Sequence, residues 1–281
     1  MTASLAAPAP PAAPPPLPGS TPATQRRVTH GKLPAAPKRI GIYGPGGVGK
    51  TTLVAALAGV GIKPLMVDLE DGSRSVDVDR VGEITTYEEL GEVLRDAELL
   101  KPYGAVGLDS LSRVEELATA YVLRTIPTNA SGAIAKRLDD YGYGRGPQLV
   151  YDAVMRVFAA LDNIRRGGKH VVVVSHSIAD RAPNPNGEDW LRYEPRLQNP
   201  NSGKGSTRAK FFEWADNVFF IGYDVAVNRE SKATAGGSRM IYTSETPWAL
   251  AKSRDLGSQQ IPYTANDLSA VWRALFPKQS K

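Results

Sequence analysis

The chain has 281 residues, 42% of them hydrophobic, with 34 Lys and Arg against 29 Asp and Glu, enough for one large domain or two small ones with a real core. It carries no cysteine and only three scattered histidines (His30, His170, His176), which excludes disulfides, thiol catalysis, thiolate metal sites and a histidine-based zinc centre. No window approaches 18 uninterrupted apolar residues, and no charged segment precedes an apolar run at the start. The expectation is therefore a soluble, cytoplasmic protein without a membrane span or secretory signal.

Residues 1–37 hold ten of the 22 prolines, mixed with Ala, Ser and Thr, a composition that buries too little apolar area to offset the entropy of ordering. They are expected to form a disordered, Pro/Ala-rich basic tail. Arg26, Arg27, Lys32, Lys38 and Arg39 precede the first acid, Asp68; setting residues 1–39 aside leaves 29 basic against 29 acidic residues. The body is formally neutral, so the net charge of +5 identifies no partner.

From residue 38 to 281 apolar runs alternate with amphipathic stretches, the pattern of a mostly parallel α/β sheet with helices on both faces. Strands are predicted over 39–43, 64–69, 103–109, 170–175 and 217–223, with a short one near 81–84. Helices are predicted over 49–59, 86–99, 111–124, 147–166 and 208–215. The run of four valines at 171–174 suits a strand covered on both faces. Beyond Tyr223 the texture turns antiparallel, with a hairpin around Ala235-Gly236-Gly237, a strand over 248–252 and a helix over 265–275.

Between the first strand and first helix stands Gly44-Pro45-Gly46-Gly47-Val48-Gly49-Lys50-Thr51, a G-x-x-x-x-G-K-[ST] motif in its required context, followed by Thr52. Its glycines let backbone N–H groups curl around a β-phosphate, Lys50 reaches the β- and γ-phosphates, and the Thr51 hydroxyl ligates Mg²⁺. A nucleoside triphosphate is the implied ligand. Mg²⁺ also wants a carboxylate at a neighbouring strand end, which Asp109 supplies after Ala105-Val106-Gly107-Leu108. Hydrolysis needs a further carboxylate to orient water; Asp68, Glu70 and Asp71 follow the second strand, and strand alternation puts Asp68 and Glu70 on one face. Glu70 is the favoured residue.

The order P-loop, VDLE at 67–70, GLDS at 107–110 and VVVVSH at 171–176 resembles the RecA-type recombinase ATPases, and most of all the small phage-encoded RecA-like ATPases of single-strand annealing and recombination. The resemblance covers about residues 38–260. It implies a RecA-like P-loop NTPase fold with a C-terminal antiparallel extension, ATP as the nucleotide, Glu70 as catalytic carboxylate, Asp109 as Mg²⁺ partner and His176 as γ-phosphate sensor, where RecA itself has Gln. Lys252-Ser253-Arg254 looks like the Lys-x-Arg element that RecA-like hexameric helicases place across a subunit interface, implying a homo-oligomeric ring or filament.

The stretch 179–207, rich in Pro, Asn and Gly, reads as a long loop where RecA-like proteins carry a DNA-binding loop. Arg192, Arg196, Lys204, Arg208 and Lys210 would meet backbone phosphates, and Trp190 and Tyr193 would stack on bases of single-stranded DNA. The functional expectation is an ATPase coupling nucleotide state to single-stranded DNA binding, annealing or strand exchange in phage or bacterial recombination, with a single-strand-binding or replication protein as a further partner. A helicase-like motor or loader, and a nucleotide-dependent assembly switch without DNA, remain the alternatives.

Overall fold

In the computed structural model, residues 36–277 are described apart from 130, 185–186, 201–204 and 228–232. The expected tail lies outside the described residues up to residue 35. The apolar segment that precedes the P-loop forms β1 (Arg39–Gly44), and α1 (Lys50–Ala55) follows, continuing as a tighter 3₁₀ turn over Ala56–Val60 rather than as the uninterrupted helix expected. Then come β2 (Pro64–Asp68), β3 (Asp79–Val81), α2 (Tyr87–Val93), α3 (Ala97–Leu100), β4 (Ala105–Asp109), α4 (Leu111–Thr125) and α5 (Arg145–Arg166). One helix was expected over 86–99. The side chain of Asp96 instead accepts from Leu99 N at 2.9 Å and starts a new helix, as a cap does.

The second half comprises β5 (His170–Ala182), β6 (Trp190–Pro195), α6 (Thr207–Trp214), β7 (Asn217–Val227), β8 (Ala233–Tyr242), β9 (Lys252–Ser253), β10 (Gln260–Tyr263) and α7 (Ala270–Leu275). The main sheet runs β10-β8-β7-β1-β5-β4-β2-β3, parallel from β7 to β3 and antiparallel at β8 and β10, which is the expected architecture.

Two expectations fail here. The loop read over 179–207 is in large part a hairpin: β5 runs on past the sheet and pairs antiparallel with β6, Ser177 opposite Pro195 through Ala182 opposite Trp190. Gly236 and Gly237 lie inside β8 rather than in a turn, because Val225 pairs with Ala235 and Val227 with Ala233. The strand expected over 248–252 shortens to β9, and the last helix begins at Ala270 rather than 265.

Alternation along β5 divides the core between two layers. Val171 and Val173 join β4, α4 and α5 residues such as Leu108, Val114 and Phe158; Val172 and Val174 join Leu53, Val54 and Leu57 beside Trp272. All four valines are fully buried, as a parallel sheet covered on both faces requires. Gly107 lets α1 lie close on β4: a Cβ there would come within 2.6 Å of Val54 Cγ1.

Candidate active site

The parallel strands end on one side of the sheet, and pairing aligns their tips: Gly44 opposite His176, Val174 opposite Asp109, Asp109 opposite Asp68. β5 thus separates the P-loop strand from the Asp109 strand and carries His176 between them. A cavity of about 290 Å³ opens over these tips, lined among others by Gly46, Lys50, Thr51, Glu70, Asp109 and His176. Gly47, Gly49 and Thr52 line it too. Gly44 and Pro45 contribute through their carbonyls, which accept from Lys50 Nζ at 3.0 and 2.8 Å, and Val48 is buried in the core beneath. A larger hollow of about 630 Å³ between α3 and α5, lined by Leu94, Leu100 and Ile164, contains no carboxylate. The smaller cavity brings Lys50, Glu70, Asp109 and His176 together.

Burial lowers the Lys50 pKa, while Asp109 and Glu70 pull it back up. The Thr51 hydroxyl donates to Asp109 Oδ2 at 2.5 Å. These two hard oxygen donors lie together at the cavity floor and fit Mg²⁺, which takes one or two protein oxygens and completes its shell with phosphate and water. Burial raises the Asp109 pKa against the Thr51 hydrogen bond. A cation at these oxygens would favour its ionised form.

Glu70 is held from two sides: Ser110 Oγ donates to Oε1, and His176 Nε2 lies 2.8 Å from Oε2 and 3.1 Å from Oε1. The His176 hydrogen bond leads in lowering the Glu70 pKa, burial opposes it and Ser110 adds to the lowering. A carboxylate ionised at neutral pH and fixed in this way is equipped to orient water. Ser110, which also caps α4 by accepting from Arg113 N, was not singled out in the sequence, although its place directly after Asp109 was a usable signal.

Asp68 does not share this site. Its carboxylate turns into its own loop, accepting from Glu70 N at 3.1 Å, Gly72 N at 3.2 Å, and Ser73 N and Oγ at 2.8 and 2.5 Å. It shapes the turn that swings Glu70 over the cavity. Asp71 is exposed and pairs with Arg74 at 3.0 Å. Burial pushes the Asp68 pKa up, but the hydrogen bonds outweigh it and hold the pKa below the usual carboxylate value. The stability this contributes is present above the unfolded carboxylate pKa and is lost as pH falls through the folded value. Asp68→Ala is expected to cost about 3 kcal/mol in urea unfolding at neutral pH, with the difference from wild type shrinking in acid.

Residues 36–255 match the AAA domain family. The chain belongs to the AAA domain family. No curated protein matches the chain. Among solved structures, the genome packaging NTPase B204 from Sulfolobus turreted icosahedral virus 2, in complex with ATP-gammaS, matches at 12% identity over 74% of this chain and 92% of its own, with a TM-score of 0.36. No helix among the described residues is long and apolar enough to cross a membrane.

In this AAA domain the residues expected to meet nucleic acid separate into different environments. Arg208 is 8% exposed and its guanidinium pairs with Glu194 at 2.6 Å and Asp180 at 2.8 Å, fixing the hairpin to α6, so it is not a free phosphate contact. Arg192 is likewise engaged, by Glu194 at 2.5 Å and Glu245 at 2.7 Å. Tyr193, half-exposed, stacks on Phe220 with ring centroids 5.3 Å apart, and its carbonyl accepts from Tyr43 Oη at 2.9 Å. Trp190 is 41% exposed on the hairpin. Arg196 is exposed, forms no ion pair among the described residues, and donates its backbone N–H to His176 O at 2.9 Å. Lys210 lines a separate hollow with Arg39 and Trp214, and Lys204 lies outside the described residues.

Lys252 and Arg254 stand beside the start of β7, Lys252 opposite Val218 and Arg254 paired with Asp216 at 3.2 Å. The start of β7 pairs with the start of β1, so this is the opposite end of the sheet from the P-loop. The structure therefore does not bring them to their own chain's cavity.

Proposed function

We propose that this P-loop ATPase domain hydrolyses ATP with Mg²⁺ and couples its nucleotide state to single-stranded DNA binding, in annealing or strand exchange during phage or bacterial recombination. The supporting observation is the Glu70–His176 contact. His176 touches the carboxylate at the cavity and lies on the strand that continues into the hairpin carrying Trp190 and leading to Arg196.

In this reading Lys50 leaves the Gly44 and Pro45 carbonyls for the β- and γ-phosphates, and the loop N–H groups hold the β-phosphate. Thr51 and Asp109 would hold Mg²⁺, which when bound neutralises phosphate charge. Glu70 orients a water for in-line attack on the γ-phosphorus and takes up its proton as the bond to the leaving diphosphate oxygen breaks. His176 donates to a γ-phosphate oxygen, so loss of that group changes what His176 meets and, through β5, the hairpin. Assembly into a ring or filament belongs to the same reading: Lys252 and Arg254, remote from their own cradle, reach one only in a neighbouring protomer.

The test is fluorescence titration of labelled single-stranded DNA with ATPγS or ADP bound, over a range of salt. We expect tighter, salt-dependent binding with ATPγS. Trp190→Ala should weaken it about tenfold, and Arg196→Ala should also reduce the salt slope by about one. Binding that is absent, or indifferent to salt and nucleotide, would count against DNA as the partner and favour the assembly switch.

A further inference from the structure

Four side chains from the C-terminal part of the chain donate to backbone carbonyls of the P-loop and the helical segment after it. Arg239 Nη1 on β8 donates to Val48 O at 3.1 Å, and Tyr263 Oη on β10 to Gly49 O at 2.8 Å. Trp272 Nε1 donates to Leu53 O at 2.7 Å and Ser269 Oγ to Ala56 O at 2.8 Å. Arg239 and Tyr263 lie directly opposite each other in the β8–β10 pairing, with the guanidinium carbon 4.5 Å from the ring centroid. This cation–π contact holds the two donors together as one unit.

The pair fits closely against the loop. Gly49 has φ 97°, in the left-handed region, and a Cβ there would come within 2.7 Å of Arg239 Nη1 and 3.1 Å of the Tyr263 ring. Tyr263 is 1% exposed; burial pushes its pKa up to about 12, with Arg239 pulling the other way, so the hydroxyl remains a donor throughout the neutral range.

A planar trans peptide points its C=O and the following N–H in opposite directions. Fixing the Val48 carbonyl therefore fixes the Gly49 N–H; the Gly49 carbonyl, which accepts from Leu53 N at 2.9 Å as well as from Tyr263, in turn fixes the Lys50 N–H. Both Gly49 and Lys50 line the cavity, whereas Arg239 and Tyr263 are not part of its lining. We propose that Arg239 and Tyr263 are positioning residues of the nucleotide site, which turn the Gly49 and Lys50 amides toward the β-phosphate of a bound nucleoside di- or triphosphate. The proposal rests on reading the cradle as a nucleotide site. It brings into that site Tyr263, which lies beyond the family match at residue 255. A preformed cradle binds ground state and transition state alike, so its loss appears in KM rather than kcat.

The experiment measures steady-state ATP hydrolysis, titration with fluorescent ADP, and thermal melting for the wild-type chain, Tyr263→Phe, Arg239→Gln, Arg239→Lys and Lys50→Ala. Tyr263→Phe and Arg239→Gln should each raise KM for ATP and Kd for ADP about five- to tenfold, with kcat within about twofold of wild type. Arg239→Lys, which keeps a charged donor but not the planar guanidinium, should recover part of the affinity. Unchanged KM and Kd in Tyr263→Phe and Arg239→Gln would overturn the proposal, as would a fall in kcat at constant KM that tracks the melting temperature. If the wild-type chain does not bind ADP, the cradle reading itself fails and the clamp with it, an outcome distinct from a wild-type chain that binds ADP and is matched by Tyr263→Phe and Arg239→Gln.

Discussion

Glu70→Gln is expected to lower ATP turnover by about 10²–10³-fold while leaving the Kd for ATP within about threefold of wild type. The amide is isosteric with the carboxylate and still accepts from Ser110 and meets His176, so the loop and the cavity keep their shape. What disappears is the negative charge and the ability to take a proton from water. Isothermal titration with ATP beside single-turnover hydrolysis separates the two effects. Equal loss of binding and turnover would remove Glu70 from the catalytic role and make it a structural strut between β4 and β5.

Lys50→Ala is expected to act on binding itself. Lys50 is 7% exposed and attracted by Asp109 and Glu70, so its removal takes away the proposed phosphate contact and a positive charge that acts on the buried Asp109 carboxylate. A loss of about 3 kcal/mol, or about 100-fold in Kd for ATP, is expected from losing a charge-assisted contact to the phosphates. Titration with ATP, alongside circular dichroism to confirm that the fold persists, measures it. Unchanged affinity would mean that the loop amides alone hold the phosphates.

The parts of the site legible in the sequence were those that depend on neighbours along the chain. The P-loop declares itself because a strand, a glycine run, Lys50 and a helix must follow one another to make a cradle. Asp109 was expected from its place at the end of an apolar strand, and the structure sets it beside Thr51 in the lining of the cavity. Asp68 and Glu70 could not be told apart by alternation, since the turn after β2 consumes one and releases the other.

The β5–β6 hairpin escaped because β5 leaves the main sheet after His176. Residues 177–182 pair with β6, and of these Ala182 alone is buried, so the apolar pattern that marks a buried strand is missing. Gly236-Gly237 misled in the other direction, as glycines that signal a turn by composition but lie in a paired strand. The basic residues over 192–210 looked alike in sequence, whereas folding gives Arg208 to Asp180 and Glu194, gives Arg192 to Glu194 and Glu245, and leaves Arg196 exposed beside the His176 backbone. Arg239 and Tyr263, 191 and 214 residues from the carbonyls they hold, carry no local signal at all.

Coupling of this ATPase site to nucleic acid is tested by the rate of phosphate release from ATP by the whole chain, with and without single-stranded DNA, at low and moderate salt, beside Lys50→Ala. Turnover that Lys50→Ala abolishes and that DNA stimulates in a salt-sensitive way is the expected result. Turnover that depends on Lys50 but ignores DNA at every salt concentration would contradict the coupling of this site to nucleic acid.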